Sequence, residues 1–85
     1  MITHHLKTVN PYFCDIWRDI KTFEIRKNDR GFQVGDFLKL EEYDPITETK
    51  SGRSITVKVH YILTNDTYLQ SGYVCMAIEE KWRNE

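Results

Sequence analysis

Hydrophobic residues recur along this chain with two different periods, and the switch between them marks its elements. Phe13, Ile16, Trp17 and Ile20 fall at i, i+3, i+4 and i+7, the stripe of an amphipathic helix. Asn10-Pro11 ahead of it supplies a capping side chain and a first helical residue that has no N–H to satisfy. Asp15 lies toward the positive end of the helix dipole, and Arg18 and Lys21 toward the negative end. Everywhere else the period is two. His5–Val9 reads as a short first strand with Leu6 and Val9 inward. After the helix, Phe23 and Ile25 point one way and Thr22, Glu24 and Arg26 the other.

Three further strands follow. Phe37–Tyr43 begins after the Val34-Gly35-Asp36 turn. Ser54–Thr64 carries Ile55, Val57, Val59, Tyr61 and Leu63 on one face, and Tyr73–Glu79 comes last. Asn28–Gly31 reads as a turn, and Asp44-Pro45 stops the middle strand. Ile46–Gly52 reads as a polar loop ending in a tight turn at Ser51-Gly52, and Asn65–Thr67 and Ser71-Gly72 break the chain again. The order is one strand, one helix, then four strands. This predicts an α+β, mainly β fold, a closed or nearly closed barrel of about five strands with the helix as its plug, because closure removes exposed strand edges.

Length and charge narrow the picture. At 85 residues there is room for one core and so one domain, residues 1–85. No apolar run approaches the roughly 20 residues of a membrane span, and MITHHLK lacks a signal-peptide core, so a cytoplasmic location is expected. Cys14 and Cys75 make no disulfide framework there and are read as small buried hydrophobes. The formal net charge of −1 gives no overall attraction to polyanions, so any nucleic-acid binding must come from a local patch. One exists: Lys21–Arg30 holds four cations against Glu24 and Asp29, while acids gather at Glu41, Glu42, Asp44 and Glu48 and at the C-terminal end.

Within that patch, Lys21, Glu24 and Arg26 converge at the corner where helix meets strand. Read blandly, this is a solvated strand face with a weak ion pair. The density of polar groups argues for a site, because Lys27, Asn28 and Arg30 continue the series into a loop. Arg26 and Arg30 suit bidentate contact with phosphate, Asn28 can read a base edge, and Phe32, Tyr43 or Tyr73 can stack on unpaired bases or merely cap the barrel. His4, His5, His60 and the cysteines lack metal-ligand spacing, so no metal is expected. No phosphate-binding glycine loop or nucleophile elbow is present, so no cofactor is expected. Cys14 with His60 has only residue identity to recommend it as a nucleophile pair.

Taken together, His4-His5-Leu6-Lys7, the KTFEIRKNDR block of Lys21–Arg30, Phe32–Asp36, Leu40–Asp44, Gly52-Arg53 leading into ITVKVHYIL, and Gly72–Val74 resemble a small ASCH-like family of bacterial and phage proteins. The resemblance spans nearly the whole chain. It implies a PUA-like pseudo-barrel with a helix beside its mouth, and RNA or nucleotide binding in the cleft between them. The ASCH pattern is approximately G-x-K-x-x-E-x-R. Lys21, Glu24 and Arg26 fill its charged positions, and Asp19 stands where the glycine usually is.

The expected ligand is therefore single-stranded RNA, a nucleotide or a nucleoside. Lys7, Lys21 and Arg26 would meet its anionic groups, Glu24 would accept from a base or orient the cations, and Lys27 would add charge. Asn28 and Arg30 would read its edge, and Phe32 or Tyr73 would stack. A monomer or weak dimer is expected, without membrane partners. An alternative is hydrolysis of N4-acetylcytidine, as in an amidohydrolase branch of the superfamily, with Lys21 and Glu24 as the groups at stake. Position 24 is glutamate where those enzymes have threonine, and a carboxylate beside a lysine base works against the neutral amine that role needs. A protein-interaction module is the third possibility.

Overall fold

In the computed structural model, which describes residues 1–85, the elements follow one another as β1 (Thr3–Thr8), α1 (Tyr12–Trp17), β2 (Phe23–Lys27), β3 (Phe37–Asp44), β4 (Thr49–Leu63) and β5 (Tyr73–Asn84). The strands form one sheet in the order β1-β3-β4-β5-β2; β1 runs parallel to β3 and every other pair is antiparallel. The sheet curls into a half-barrel. Leu38 and Leu40 of β3, Ile55, Val57 and Val59 of β4, and Val74, Met76 and Ile78 of β5 alternate into its hollow side. Phe13 and Ile16 of α1, both without exposed surface, plug that hollow. No helix is long and apolar enough to cross a membrane.

Several boundaries differ from the sequence pattern, each for a local reason. Ile20 is 69% exposed, because α1 ends at Trp17 before reaching it. Beyond Arg18 the chain closes a Schellman turn: Asp19 N–H donates to Ile16 O and Ile20 N–H to Asp15 O. Asp19 occupies the left-handed position at φ 63°, where glycine is the usual residue and aspartate one of the few tolerated substitutes. Pro11 is the N-cap rather than the first helical residue, and Asn10 caps from one position further out, its Oδ1 accepting the Cys14 N–H. β1 starts at Thr3 and stops at Thr8, so Val9 is not in it; its carbonyl instead accepts from Phe13 N–H in the turn into α1.

The long strands contain irregularities that period counting does not see. Ser51-Gly52 is not a hairpin turn. The turn is Pro45–Glu48, and Ser51-Gly52 lies in a bulge within β4, where the β3–β4 register shifts. A second bulge at His60 moves Tyr61 to the outer face, 61% exposed, and turns Ile62 toward the core in its place. β5 runs five residues past Glu79 because Glu80, at φ 53°, takes up a register shift that lets pairing with β4 resume at Trp82. Cys14 and Cys75 are half-buried rather than buried.

β1 and β2 are the two edges of the sheet, and they face each other across the unclosed seam. Thr22 C=O accepts from Ile78 N–H, so the main-chain groups of Thr22, Glu24 and Arg26 face β5, and those of Phe23, Ile25 and Lys27 face the seam. Side chains bridge where backbone pairing does not. Arg26 Nη2 donates to Lys7 O at 3.1 Å and to Thr8 Oγ1 at 3.0 Å, and Arg30 Nη1 donates to His5 O at 3.0 Å. Two guanidinium groups thus occupy carbonyls that would otherwise be open to pairing with another chain.

Candidate functional site

The seam opens into a cleft of about 420 Å³ lined by Lys7, Thr8 and Val9 at the end of β1, Tyr12 of α1, Lys21, and Phe23 to Arg26 of β2. Glu24 is its electrostatic centre. On β2 the polar face is the inward one: Glu24 is 4% exposed, whereas Phe23 and Ile25 are 43% and 48% exposed. This inverts the burial that hydrophobicity alone favours. It persists because the carboxylate is satisfied from both sides. Lys21 Nζ donates to Oε1 and Arg26 Nε to Oε2, each at 2.7 Å.

The two cations are themselves held in place. Lys21 Nζ also donates to Phe23 O at 2.7 Å and lies 4.9 Å from the Phe23 ring and 6.0 Å from the Tyr12 ring. It has three N–H groups and two hydrogen-bond acceptors, so one N–H is left for a ligand. Arg26 uses Nε and Nη2 on Glu24, Lys7 and Thr8, which leaves both N–H groups of Nη1 free. Fixed donors with unused hydrogens, set against two aromatic rings, suit an anionic, planar ligand.

A second hollow of about 300 Å³ adjoins the first and shares Ile25 and Arg26 with it; Lys27, Asp29, Arg30, Phe32 and Tyr73 complete its walls together with Leu6. The nine residues singled out from the sequence therefore divide. Lys7, Lys21, Glu24 and Arg26 meet in the first hollow, and Arg26, Lys27, Arg30, Phe32 and Tyr73 in the second. Asn28 lines neither; it is exposed, and its N–H is tied to Gly72 O. Phe32 is buried, its ring edge-on to His4 at 4.7 Å, so it forms floor rather than an open stacking face. Tyr43 lies outside both hollows, with Lys7 Nζ 4.8 Å from its ring.

Tyr12, Thr8 and Phe23 escaped the sequence reading. Tyr12 carried a usable signal, an aromatic residue on the polar side of the helix directly after Asn10-Pro11. The aromatic wall made by Phe23 was hidden, because an apolar strand residue is ordinarily assigned to the core.

Two other polar clusters hold the scaffold. Glu42 accepts from Arg53 Nε and Nη2, Ser51 Oγ and Asn10 Nδ2. The Arg53 hydrogen bonds, strengthened by those from Ser51 and Asn10, outweigh burial and hold its carboxyl at about 2. The same guanidinium lies over Phe13 and Trp17, fastening α1 to the sheet. Near the start of β1, buried His4 Nε2 donates to Asp36 at 2.8 Å. Burial raises the Asp36 carboxyl, but His4 and the backbone N–H groups of Ile2 and Gln33 outweigh it and leave it below its ordinary value. A hollow of about 590 Å³ beside the β3–β4 turn is lined by Glu42 and Asp44 and by no cation, which disfavours an anionic ligand there. No group of three His, Cys, Asp or Glu side chains converges as metal ligands would.

No curated protein matches the sequence. The chain belongs to the family described as Domain of unknown function (DUF3850), whose pattern matches residues 3–78 and so takes in both hollows and every residue that lines them.

Proposed function

We propose that this domain is an ASCH-type binder of RNA or nucleotides, taking its ligand in the cleft that opens from the β1–β2 seam beside the helix. The observation that carries the reading is the convergence of Lys21, Glu24 and Arg26 on one cleft with Tyr12 and Phe23 as aromatic walls. A volume of about 420 Å³ lies within the range of small-ligand sites and suits a nucleoside. Phosphate would meet the free Nη1 of Arg26 and Lys7, and the base would lie against the rings and exchange hydrogen bonds with Lys21 and Glu24.

The test is an NMR titration with a panel of nucleosides, nucleotides and short single-stranded RNAs. Shifts at Lys21, Glu24, Arg26 and Tyr12 are expected, and their loss in Lys21→Ala. Absence of shifts around the seam with every probe overturns the proposal.

A protein-interaction module is the second reading. It is supported by the row of Phe23, Ala77 and Tyr61 that neighbouring strands place side by side on the outer face of the sheet. Hydrolysis of acetylated cytidine ranks behind binding, because position 24 lacks the hydroxyl found in those enzymes and its carboxylate is already engaged by Lys21 and Arg26. Incubation with acetylated cytidine, with Lys21→Ala as control, decides that point.

A further inference from the structure

We infer that the two adjoining hollows form one groove for an unpaired ribonucleotide chain of at least two residues, with the bridging phosphate held at Arg26; the inference rests on the nucleotide-binding reading above. Three observations carry it. The hollows meet at Ile25 and Arg26, and Arg26 is fixed by three partners while both hydrogens of its Nη1 stay free. Each hollow has its own aromatic surface, Tyr12 and Phe23 in the first and half-exposed Tyr73 in the second, so each can receive a base.

Charge is the third. The groove holds Lys7, Lys21, Arg26, Lys27 and Arg30 against Glu24 and Asp29, in a chain whose formal net charge is −1. Elsewhere Lys50, Arg53, Lys58, Lys81 and Arg83 each lie within ion-pair distance of a carboxylate. In the groove Lys7, Lys27 and Arg30 have no such partner. Cations left uncompensated along one line, in a protein that pairs most of the others, point to a ligand with charge repeated along its length.

A single nucleotide fills one hollow and leaves the other empty. Two joined nucleosides place a base in each and the linking phosphate between them, so the second base binds at a high effective concentration. The ligand must be unpaired, because a duplex keeps its bases stacked on each other and offers neither ring a face.

The experiment compares a nucleoside 5′-monophosphate with the dinucleoside monophosphate of the same base, by calorimetry and NMR on the full chain. The dinucleoside carries less charge, so any gain belongs to the second nucleoside. It is expected to bind at least about tenfold more tightly and to shift Tyr73 and Lys27 together with Lys21. Tyr73→Ala is expected to reduce that ratio at least about fivefold. Lys27→Glu, an exposed substitution that leaves packing alone, is expected to weaken an unpaired hexanucleotide by a similar factor. If the monophosphate binds at Lys21 and the dinucleoside binds no more tightly, the second hollow is not a subsite and the single-nucleotide reading stands. If neither probe binds, both readings fall together.

Discussion

At the scale of single residues, Arg26 joins stability to recognition. It neutralises buried Glu24 and spans the seam to the main chain of β1 with one planar fork. A lysine there also has three donors, but they radiate from one nitrogen and cannot match acceptors spaced along the edge of a guanidinium. Arg26→Lys should therefore lower stability by about 1 kcal/mol, and Arg26→Ala by about 2–3 kcal/mol with Lys21 left as the only partner of the carboxylate; urea unfolding midpoints measure both. Equal stability of all three proteins would show that the seam does not depend on this side chain. Two other carboxylates set the acid limb. Both Glu42 and Asp36 titrate lower in the folded chain than their ordinary values of 4.5 and 3.8. A depressed pKa contributes stability that is present above the unfolded value and lost as pH falls through the folded one. Stability should thus fall between pH 4.5 and about 2, and Glu42→Gln should flatten that limb while lowering the plateau at pH 7. Identical acid limbs in thermal melts of the two proteins would contradict the assignment.

Among elements, the turn after α1 shows what the sequence made legible and what it did not. The stripe Phe13, Ile16, Trp17 correctly locates the helix and its buried face, but Ile20 extends the same period past the real end. The end is set by the Schellman turn, and with aspartate rather than glycine at the left-handed position the usual stop signal is missing. The Asp19 carboxylate also reaches Lys81 and Arg83 of β5, contacts that join residues distant in sequence and leave no local trace. Strand faces fail in the same manner: alternation places Ile55, Val57 and Val59 correctly until the bulge at His60 reverses the parity. The charged corner was readable because Lys21, Glu24 and Arg26 lie within six residues of one another, whereas the partners that close the seam come from β1. Replacing Asp19 separates the two terms. Glycine and alanine both remove the ion pairs, so their difference reports the backbone alone, and Asp19→Ala should be less stable than Asp19→Gly by about 1 kcal/mol. Equal melting of the two variants would mean that the left-handed turn is not maintained.

For the whole molecule, the deciding quantity is where charge is left over once the fold has used what it needs. The sheet does not close by backbone hydrogen bonding, since β1 and β2 are joined only through side chains, and the gap between them holds three of the cations that lack carboxylate partners, Lys7, Lys27 and Arg30. Net charge contributes nothing to attraction at long range, so binding must be local and moderate. That gives a numerical expectation. With Lys7, Lys27 and Arg30 uncompensated and Arg26 half-free, two to three phosphates can be neutralised. For single strands the logarithm of affinity falls with the logarithm of salt concentration by about 0.7 per phosphate, so a slope near −1.5 to −2 is expected. Lys27→Glu should make it shallower by about 0.7, since one contact is lost, whereas Lys58→Glu, in a cation already facing Glu80 outside the groove, should leave it unchanged. A slope steeper than about −4 for a short single strand would require phosphate contacts over a far larger surface than the seam provides, and the groove would then not be the binding site.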